Sequence, residues 1–419
     1  MKHDSSNLSR VRTGLNELAA LATGRKTSLF AEDIQRFQSR LEEEIAGRRI
    51  LVIGGAGSIG ASTVRALFPF RPACLHVVDH SENTVVELVR DLRSEFDSSD
   101  LPDLRTLPLN FGSPIMERFL REEEPYDQVL NFAALKHVRS EKNCFSILQM
   151  LDTNVVKPLK LLHWLVQRGG LRRYFCVSTD KAANPVNVMG ASKRLMEHVI
   201  FSEETLARPE TLQVTSARFA NVAFSDGSLL QGWLKRLEKG QPLAVPRDTR
   251  RYFVSLEEAG QICLLAAFLP SDRQLLVPRL DAGKDLVLLS DLAELVLRHF
   301  GYAPRRFEGE GQARHALAAH ESHEYYPLLL TPLDTSGEKP FEEFVGDGEE
   351  SIEVGFRQLV AVPYLPSQPG LLAAFLSRLG AMIESPETPV PKEELVTEIQ
   401  KVLPEFHHVS SVKALDQRM

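Results

Sequence analysis

The chain has 419 residues, 43% apolar and 25% charged, with a formal net charge of −7. That is ordinary globular composition with ample material for a core, and its acidic balance argues against a general nucleic-acid binder. Length predicts two or three domains, or one large α/β domain with additions. No run approaches roughly 18 uninterrupted apolar residues, so no membrane span is expected. Met1-Lys2-His3-Asp4-Ser5-Ser6 has no apolar h-region, so secretion is not expected. The cysteines, Cys74, Cys144, Cys176 and Cys263, are scattered and mostly lie in apolar runs. They read as buried free thiols of a reducing compartment, with neither a disulfide frame nor a zinc site, and no metal is expected. A cytoplasmic soluble protein is the expectation.

Residues 1–48 carry apolar positions at Leu15, Leu18 and Leu21, then at Ile34, Phe37 and Leu41. This spacing predicts two amphipathic helices broken near Gly24, an arm that packs on its own domain or on a second subunit. Arg49-Ile50-Leu51-Val52-Ile53 is a first buried strand. Gly54-Gly55-Ala56-Gly57-Ser58-Ile59-Gly60 follows, then a helix from Ala61 to Leu67. Glycines at 54, 57 and 60, between a strand and a helix, let the chain turn tightly. Backbone N–H groups of the loop, through Ser58 and Ile59, can then meet a pyrophosphate.

The second strand, Cys74-Leu75-His76-Val77-Val78, ends in Asp79, 19 residues beyond Gly60. A carboxylate there binds the adenosine ribose hydroxyls and repels a 2′-phosphate, favouring NAD over NADP. His80 and Arg71 stand near enough to soften that preference. A third strand, Arg105 to Leu109, leads into Asn110-Phe111-Gly112, with Asn110 a candidate adenine contact. The fourth, Asp127 to Phe132, ends in Ala133-Ala134-Leu135-Lys136-His137-Val138. Ala133 and Ala134 are small enough for a cofactor to approach closely. Lys136 and His137 add a cation and a titratable group at the same edge; a solvated loop is the blander reading.

After a helix around Thr153-Asn154-Val155, the fifth strand, Arg173 to Val177, enters the densest polar stretch of the chain. Ser178-Thr179-Asp180-Lys181 and Asn184-Pro185 lead to Met189-Gly190-Ala191-Ser192-Lys193 and a helix to Ile200. In an open parallel sheet, ligands bind at the carboxyl ends of the strands. The sixth strand, Leu212 to Phe219, continues into Ala220-Asn221-Val222 and on to Ser228. Lys235, Arg236, Arg247, Arg250 and Arg251 then form a local excess of cations, suited to bidentate phosphate recognition or simply a basic face.

Ser290 to Phe300 reads as a helix, then comes an irregular segment to about residue 350, and helices at Pro369–Ile383 and Lys392–Val402. Strands alternating with helices over 49–220 predict an α/β fold, a doubly wound parallel sheet of the Rossmann type. The expected division is a helical arm (1–48), a dinucleotide-binding domain (49–220), a substrate-binding lobe with elements returning to the core (221–350), and a helical extension (351–419).

The glycine loop, Ala133-Ala134-Leu135-Lys136-His137-Val138, Ser178-Thr179-Asp180-Lys181, Met189-Gly190-Ala191-Ser192-Lys193 and Arg218-Phe219-Ala220-Asn221-Val222 occur in that order. Together they resemble the extended short-chain dehydrogenase/reductases. More narrowly they resemble the polysaccharide-biosynthesis UDP-N-acetylglucosamine 4,6-dehydratases, over roughly 45–300 and on toward Thr335-Ser336-Gly337-Glu338-Lys339. The chain departs from the superfamily in having Met189 where most members place a proton-accepting tyrosine, four residues before Lys193 and on the same helical face. Met at that position is a feature of one dehydratase branch. Ala220 replaces a usual Gly, and Asn110 a usual Asp.

The resemblance implies NAD as a tightly held cofactor and a UDP-sugar as substrate. It implies hydride transfer from C4 to NAD, loss of water across C5–C6, and hydride return to C6, with C5 retained as in the Met-bearing branch. The product is a 4-keto-6-deoxy sugar for bacterial surface polysaccharide or deoxy-amino-sugar synthesis. Asp180 would give a proton to the C6 hydroxyl, Lys181 would handle C5, Thr179 would hold the C4 oxygen, and Lys193 the ribose. Met189 leaves the first proton acceptor open among Asp180, Lys181 and a water. Lys136, His137, Asn221, Ser228 and Arg251 are the substrate candidates, and a homo-oligomer through two helices is the superfamily's usual form. A C4 epimerase and a non-catalytic NAD-binding protein are the competing readings.

Overall fold

The computed structural model describes residues 5–97, 101–136, 141, 143–318, 325–332, 339, 341–385, 387 and 389–409. Three helices, α1 (Ser5–Thr23), α2 (Ala31–Arg36) and α3 (Gln38–Ile45), lead into β1 (Arg49–Ile53), α4 (Ser58–Leu67), β2 (Cys74–Asp79) and α5 (Glu82–Glu95). Next come β3 (Asp103–Pro108), α6 (Pro114–Glu122), β4 (Gln128–Asn131), α7 (Cys144–Leu151) and α8 (Lys157–Arg168). β5 (Arg173–Val177), α9 (Val188–Phe201) and β6 (Gln213–Ala217) complete the alternating half. The second half holds β7 (Asn221–Val222), α10 (Leu229–Glu238), β8 (Leu243–Pro246), β9 (Arg250–Val254), α11 (Leu256–Phe268) and β10 (Gln274–Pro278). After these follow β11 (Leu286–Leu288), α12 (Leu289–His299), β12 (Ala303–Phe307), α13 (Glu310–Ala318), β13 (Tyr325–Thr331), β14 (Leu359–Pro363), α14 (Leu371–Glu384) and α15 (Lys392–Val402).

The main sheet runs β14-β10-β6-β5-β4-β1-β2-β3, parallel throughout except for antiparallel β14. It is the doubly wound α/β sheet that the alternating pattern predicts. β1 and β2 are buried along almost their whole length, because helices cover both faces, so they read as continuous apolar runs. The strand order reverses between β1 and β4, and that switch point opens a crevice at their carboxyl ends.

The described residues of the arm, 5–48, form three helices, the second and third separated at Phe37. This arm packs on its own chain. The Arg25 guanidinium meets Glu258 at 2.8 Å and Asp285 at 3.1 Å, and the buried Asp33 carboxylate accepts from the backbone N–H of Arg357 and Gln358. The segment read as irregular up to residue 350 instead contains β12, α13 and β13. With β8 these strands make a parallel sheet, β12-β13-β8. β12 is an edge strand with exposed arginines, which hid its pattern, whereas β13 is buried at its five central residues. A second small sheet joins β11, β9 and β7.

The segment from 351, read as a helical extension, includes β14, the strand that closes the main sheet. Beyond it α14 and α15 share one apolar cluster with α7 and α9, through Phe375, Leu379, Leu395 and Ile399 against Ile147, Met150, Leu195 and Val199. Every residue of α9 is buried. No helix among the described residues is long and apolar enough to cross a membrane.

Candidate active site

The crevice at the switch point is a cavity of about 680 Å³. Its wall brings together Gly54, Gly57, Ser58, Ile59, Gly60, Asp79, Asn110, Ala133, Ala134, Lys136, Thr179, Asp180, Lys181, Met189, Lys193, Asn221 and Ser228. Arg251 is not among the lining residues. It lies beside Lys181, and its guanidinium donates to the backbone oxygens of Arg250 and Lys339. His137 lies outside the described residues. None of Lys235, Arg236, Arg247 and Arg250 lines the cavity either; Arg247 pairs with Glu308 at 2.8 Å, and Arg236 donates to Pro242 O. Close spacing in sequence does not bring these cations to the cavity wall.

One side of the cavity is a backbone cradle. Gly54 has φ +69°, and a Cβ there would lie 2.6 Å from Ala133 N, so only glycine permits the β1 and β4 exits to meet. Gly57 caps α4 without any side-chain bond, which leaves the first N–H groups of the helix facing the crevice. Asp79 is 8% exposed and accepts from Ala56 N at 3.2 Å and Ser81 N at 3.1 Å, tying the glycine loop to the end of β2. Asn154 pins the β4 exit: it exchanges two bonds with the Leu135 backbone and donates to Ser192 Oγ at 2.9 Å. It sits in a π-helical stretch, Asp152–Val156, between α7 and α8. A loop from the smaller lobe closes over the cradle. Ser58 Oγ donates to Asp226 Oδ2 at 2.9 Å, and Lys136 Nζ donates to Asp226 O at 2.7 Å.

The other side is built from buried charge. Thr179 Oγ1 donates to Asp180 Oδ1 at 2.8 Å, as do Lys181 N at 2.9 Å and Lys181 Nζ at 3.1 Å. Asp180 is 2% exposed, and its Oδ2 has no hydrogen-bond partner among the described residues. A buried carboxylate with one oxygen saturated and the other unused is poised to exchange a proton. Burial alone would lower the Lys181 amine's pKa, but the carboxylates of Asp180 and Glu342 outweigh it and hold the group charged.

α9 starts against this loop. Asn187 Oδ1 caps Gly190 N at 2.7 Å, and a Cβ on Gly190 would lie 2.3 Å from Lys181 O, so the helix could not approach with any other residue. Lys193 and Met189 are each 4% exposed, and Lys193 Nζ meets the Met196 thioether at 3.2 Å. Burial lowers its ammonium's pKa, as expected of a cation that waits for a polar ligand.

Beneath lies an ion network that sequence reading missed. Arg218, fully buried, makes bidentate bonds to Glu197 at 2.6 and 2.8 Å and to Glu349 at 2.6 and 2.9 Å. Arg194 joins both carboxylates. Glu197 also accepts from Ser178 Oγ at 2.5 Å, which ties the network to the Thr179–Asp180–Lys181 loop. Burial would raise the Glu349 carboxyl, but its bonds to Arg218 bring it down to about 2. Glu197 lay within a helix read only for periodicity, and Glu342 and Glu349 lay in a stretch read as irregular.

All four cysteines are free; Cys74, Cys176 and Cys263 are buried and Cys144 is half-buried. Burial pushes the Cys74 and Cys176 thiols up to about 11. Ligand atoms of Cys74, His76 and Asp103 lie within 4.8 Å of one another. His76 Nδ1 already meets the Tyr126 hydroxyl at 2.6 Å, and the Arg49 and Arg105 cations act on Cys74.

The profile of a family described as polysaccharide biosynthesis protein matches residues 50–362. An uncharacterized membrane protein of Methanocaldococcus jannaschii is 32% identical over 267 residues, 62% of this chain and 75% of that one. A capsular polysaccharide biosynthesis protein of Staphylococcus aureus is 30% identical over 302 residues, 70% of this chain but only 48% of its own length. An inverting UDP-N-acetylglucosamine 4,6-dehydratase of Campylobacter jejuni is 24% identical over 250 residues, 59% of this chain and 71% of that one. Among solved structures, Pen from Bacillus thuringiensis superposes with a TM-score of 0.61 at 21% identity, covering 76% of this chain and 89% of that one. At that identity the likeness speaks for the fold.

Proposed function

Because the chain belongs to the polysaccharide biosynthesis protein family, we propose that it dehydrates UDP-N-acetylglucosamine to a UDP-4-keto-6-deoxy-N-acetylhexosamine with NAD as a recycled cofactor. The observation that carries this reading is the Thr179–Asp180–Lys181 cluster on the cavity wall, beside Met189. Two linked proton-handling groups stand where a simple oxidoreductase needs one phenol.

The cleft fits NAD. The glycine loop and the uncapped start of α4 would take the pyrophosphate, Asp79 the adenosine ribose hydroxyls, and Asn110 the adenine side. Ala133 and Ala134 leave room for the nicotinamide, and the poorly solvated Lys193 ammonium would hold its ribose. Bound there, NAD would accept a hydride from C4 and return it to C6.

The chain's own residues would manage the protons. Thr179 would hold the C4 oxygen, and the C4 hydroxyl proton would pass along the existing Thr179–Asp180 bond to Asp180. Met189 cannot take it, since a thioether carries no proton. The resulting ketone makes the C5 proton acidic, and Lys181, as the free amine, would remove it. Protonation of Asp180 takes away one of the two carboxylates that keep Lys181 charged, so its ammonium would release a proton to solvent and act as the free amine at this step, regaining that proton once Asp180 is again a carboxylate. Asp180 would then give its acquired proton to the departing C6 hydroxyl. Water leaves carrying the proton lost from C4, and Lys181 returns one to C5. Lys136, Asn221 and Ser228 line the same wall as contacts for the sugar nucleotide. C5 retention rests on the resemblance of Met189 to the Met-bearing dehydratase branch alone; the Campylobacter jejuni dehydratase similar to this chain is named as inverting.

The test is incubation with UDP-N-acetylglucosamine without added cofactor, followed by mass and proton NMR in deuterated water. The expected product has lost one water and gained one deuteron at C5, with ring couplings of the retained configuration. Epimerisation without water loss would favour a C4 epimerase. No turnover with any UDP- or dTDP-hexose, even with NAD supplied, would favour a non-catalytic NAD-binding protein.

A further inference from the structure

Asp180 faces Lys181 from its own loop, but a second carboxylate faces it from behind. Glu342 Oε1 lies 3.8 Å from Lys181 Nζ, and its side chain is 4% exposed. Glu342 is not among the residues lining the cavity, whereas Lys181 is. It arrives on a segment strapped to the catalytic loop. Lys339 Nζ donates to Asn184 O at 2.5 Å, Asn184 Nδ2 donates to Glu343 at 2.9 Å, and Asp347 N donates to Asn184 Oδ1 at 2.9 Å. Glu349, seven residues on, is clamped by Arg218. Glu342 is therefore held in place by contacts on both sides of it.

We propose that Glu342 is a positioning residue of this active site, acting through Lys181 to hold its ammonium in place and to set the pH at which it yields a proton. The inference deepens the dehydratase reading and rests on it. The charged groups facing the pair are Asp180, Arg251 and Lys339. Burial pushes the Glu342 carboxyl up, and the Lys181 ammonium is the main opposing influence. Because both partners are desolvated, loss of either is felt at the other rather than screened away.

Glu342→Gln keeps the shape and removes the charge. One readout needs no sugar: the pH dependence of Lys181 acylation by an amine-specific reagent, mapped by mass spectrometry on the full chain. The second is the pH profile of kcat for dehydration of UDP-N-acetylglucosamine. With one carboxylate gone, the Lys181 labelling midpoint and the profile limb that follows it should both move to lower pH by about one unit. KM should stay within roughly twofold, as expected for a group that adds no binding of its own to the substrate. Glu342→Asp, which keeps the charge, should restore the wild-type midpoint in large part, and it serves as the test variant if the Gln protein does not fold. An unchanged midpoint and profile in Glu342→Gln would overturn the inference while leaving dehydration intact. A rate loss equal at every pH would also overturn it, since that marks a merely structural role. A wild-type protein that turns over no UDP-sugar would instead overturn the dehydratase reading and the catalytic role with it, and the labelling shift separates the two failures.

Discussion

The two sides of the cleft are made in different ways. From β1 to β4 the working groups are backbone N–H groups and small residues, supplied by neighbours in sequence and held by strand pairing. From β5 to α9 they are buried charges whose partners arrive from far along the chain. Arg218 and Glu349 are 131 residues apart, and Arg194 and Glu349 are 155. A backbone cradle survives the loss of one side chain with weaker binding. A buried charge network does not, because the remaining partner stays desolvated and unpaired.

That contrast can be broken most directly at Asp180. Asp180→Asn should lower dehydration by roughly 10³-fold, with NAD content of the purified protein unchanged. A variant within tenfold of wild type would mean that the proton-handling cluster lies elsewhere. Next in size is Arg218→Met, which strands Glu197 and Glu349 without a guanidinium. It should cost about 3–5 kcal/mol of stability, read from urea unfolding; a loss under about 1 kcal/mol would show that the network is not a shared support.

On the cradle side, Asp79→Asn should weaken NAD binding by about tenfold and narrow the preference over NADP, measured by titration calorimetry. Unfolding should change by only about 1 kcal/mol, because the amide oxygen keeps one of the two backbone bonds that the carboxylate accepts and loses the other. A large stability loss there would erase the distinction between the two sides.

The smallest effect at neutral pH is expected at His198. Burial, with the nearby Arg194 cation, lowers its imidazole from 6.5 to about 3, and its Nδ1 meets the Tyr364 hydroxyl at 3.1 Å. The folded state keeps the ring neutral while the unfolded chain binds a proton below about pH 6.5, so stability should fall as pH drops from 6.5 toward 3. Glu349, held down at about 2, adds its own loss only as pH falls below the ordinary carboxylate value of 4.5. Between pH 6.5 and 4.5, His198→Gln should therefore flatten the acid loss seen in thermal unfolding, and an unaltered slope would assign it to other groups.

Sequence alone carried the α/β alternation from β1 to β6, the glycine loop, Asp79 at its strand end, and the Thr179–Asp180–Lys181 run beside Met189 and Lys193. These features are local. A glycine triplet between strand and helix specifies a backbone path over a few residues, and a carboxyl-end loop must lie at the crevice once its strand is parallel. The tertiary structure alone decided which charges meet. The cations between Lys235 and Arg251 looked like a phosphate site and none of them lines the cavity, since nearness in sequence does not aim a side chain at a crevice formed by other strands. Glu342 and Glu349 looked like part of an acidic, irregular stretch and became buried partners of Lys181 and Arg218 behind the cavity wall, because buried charges need partners and the fold brings those partners from the far end of the chain. The last helices, silent in sequence beyond their periodicity, were placed over α7 and α9 by the apolar faces they share. Hydrophobic contact has no direction, so a period can announce a buried face but not the surface it will cover.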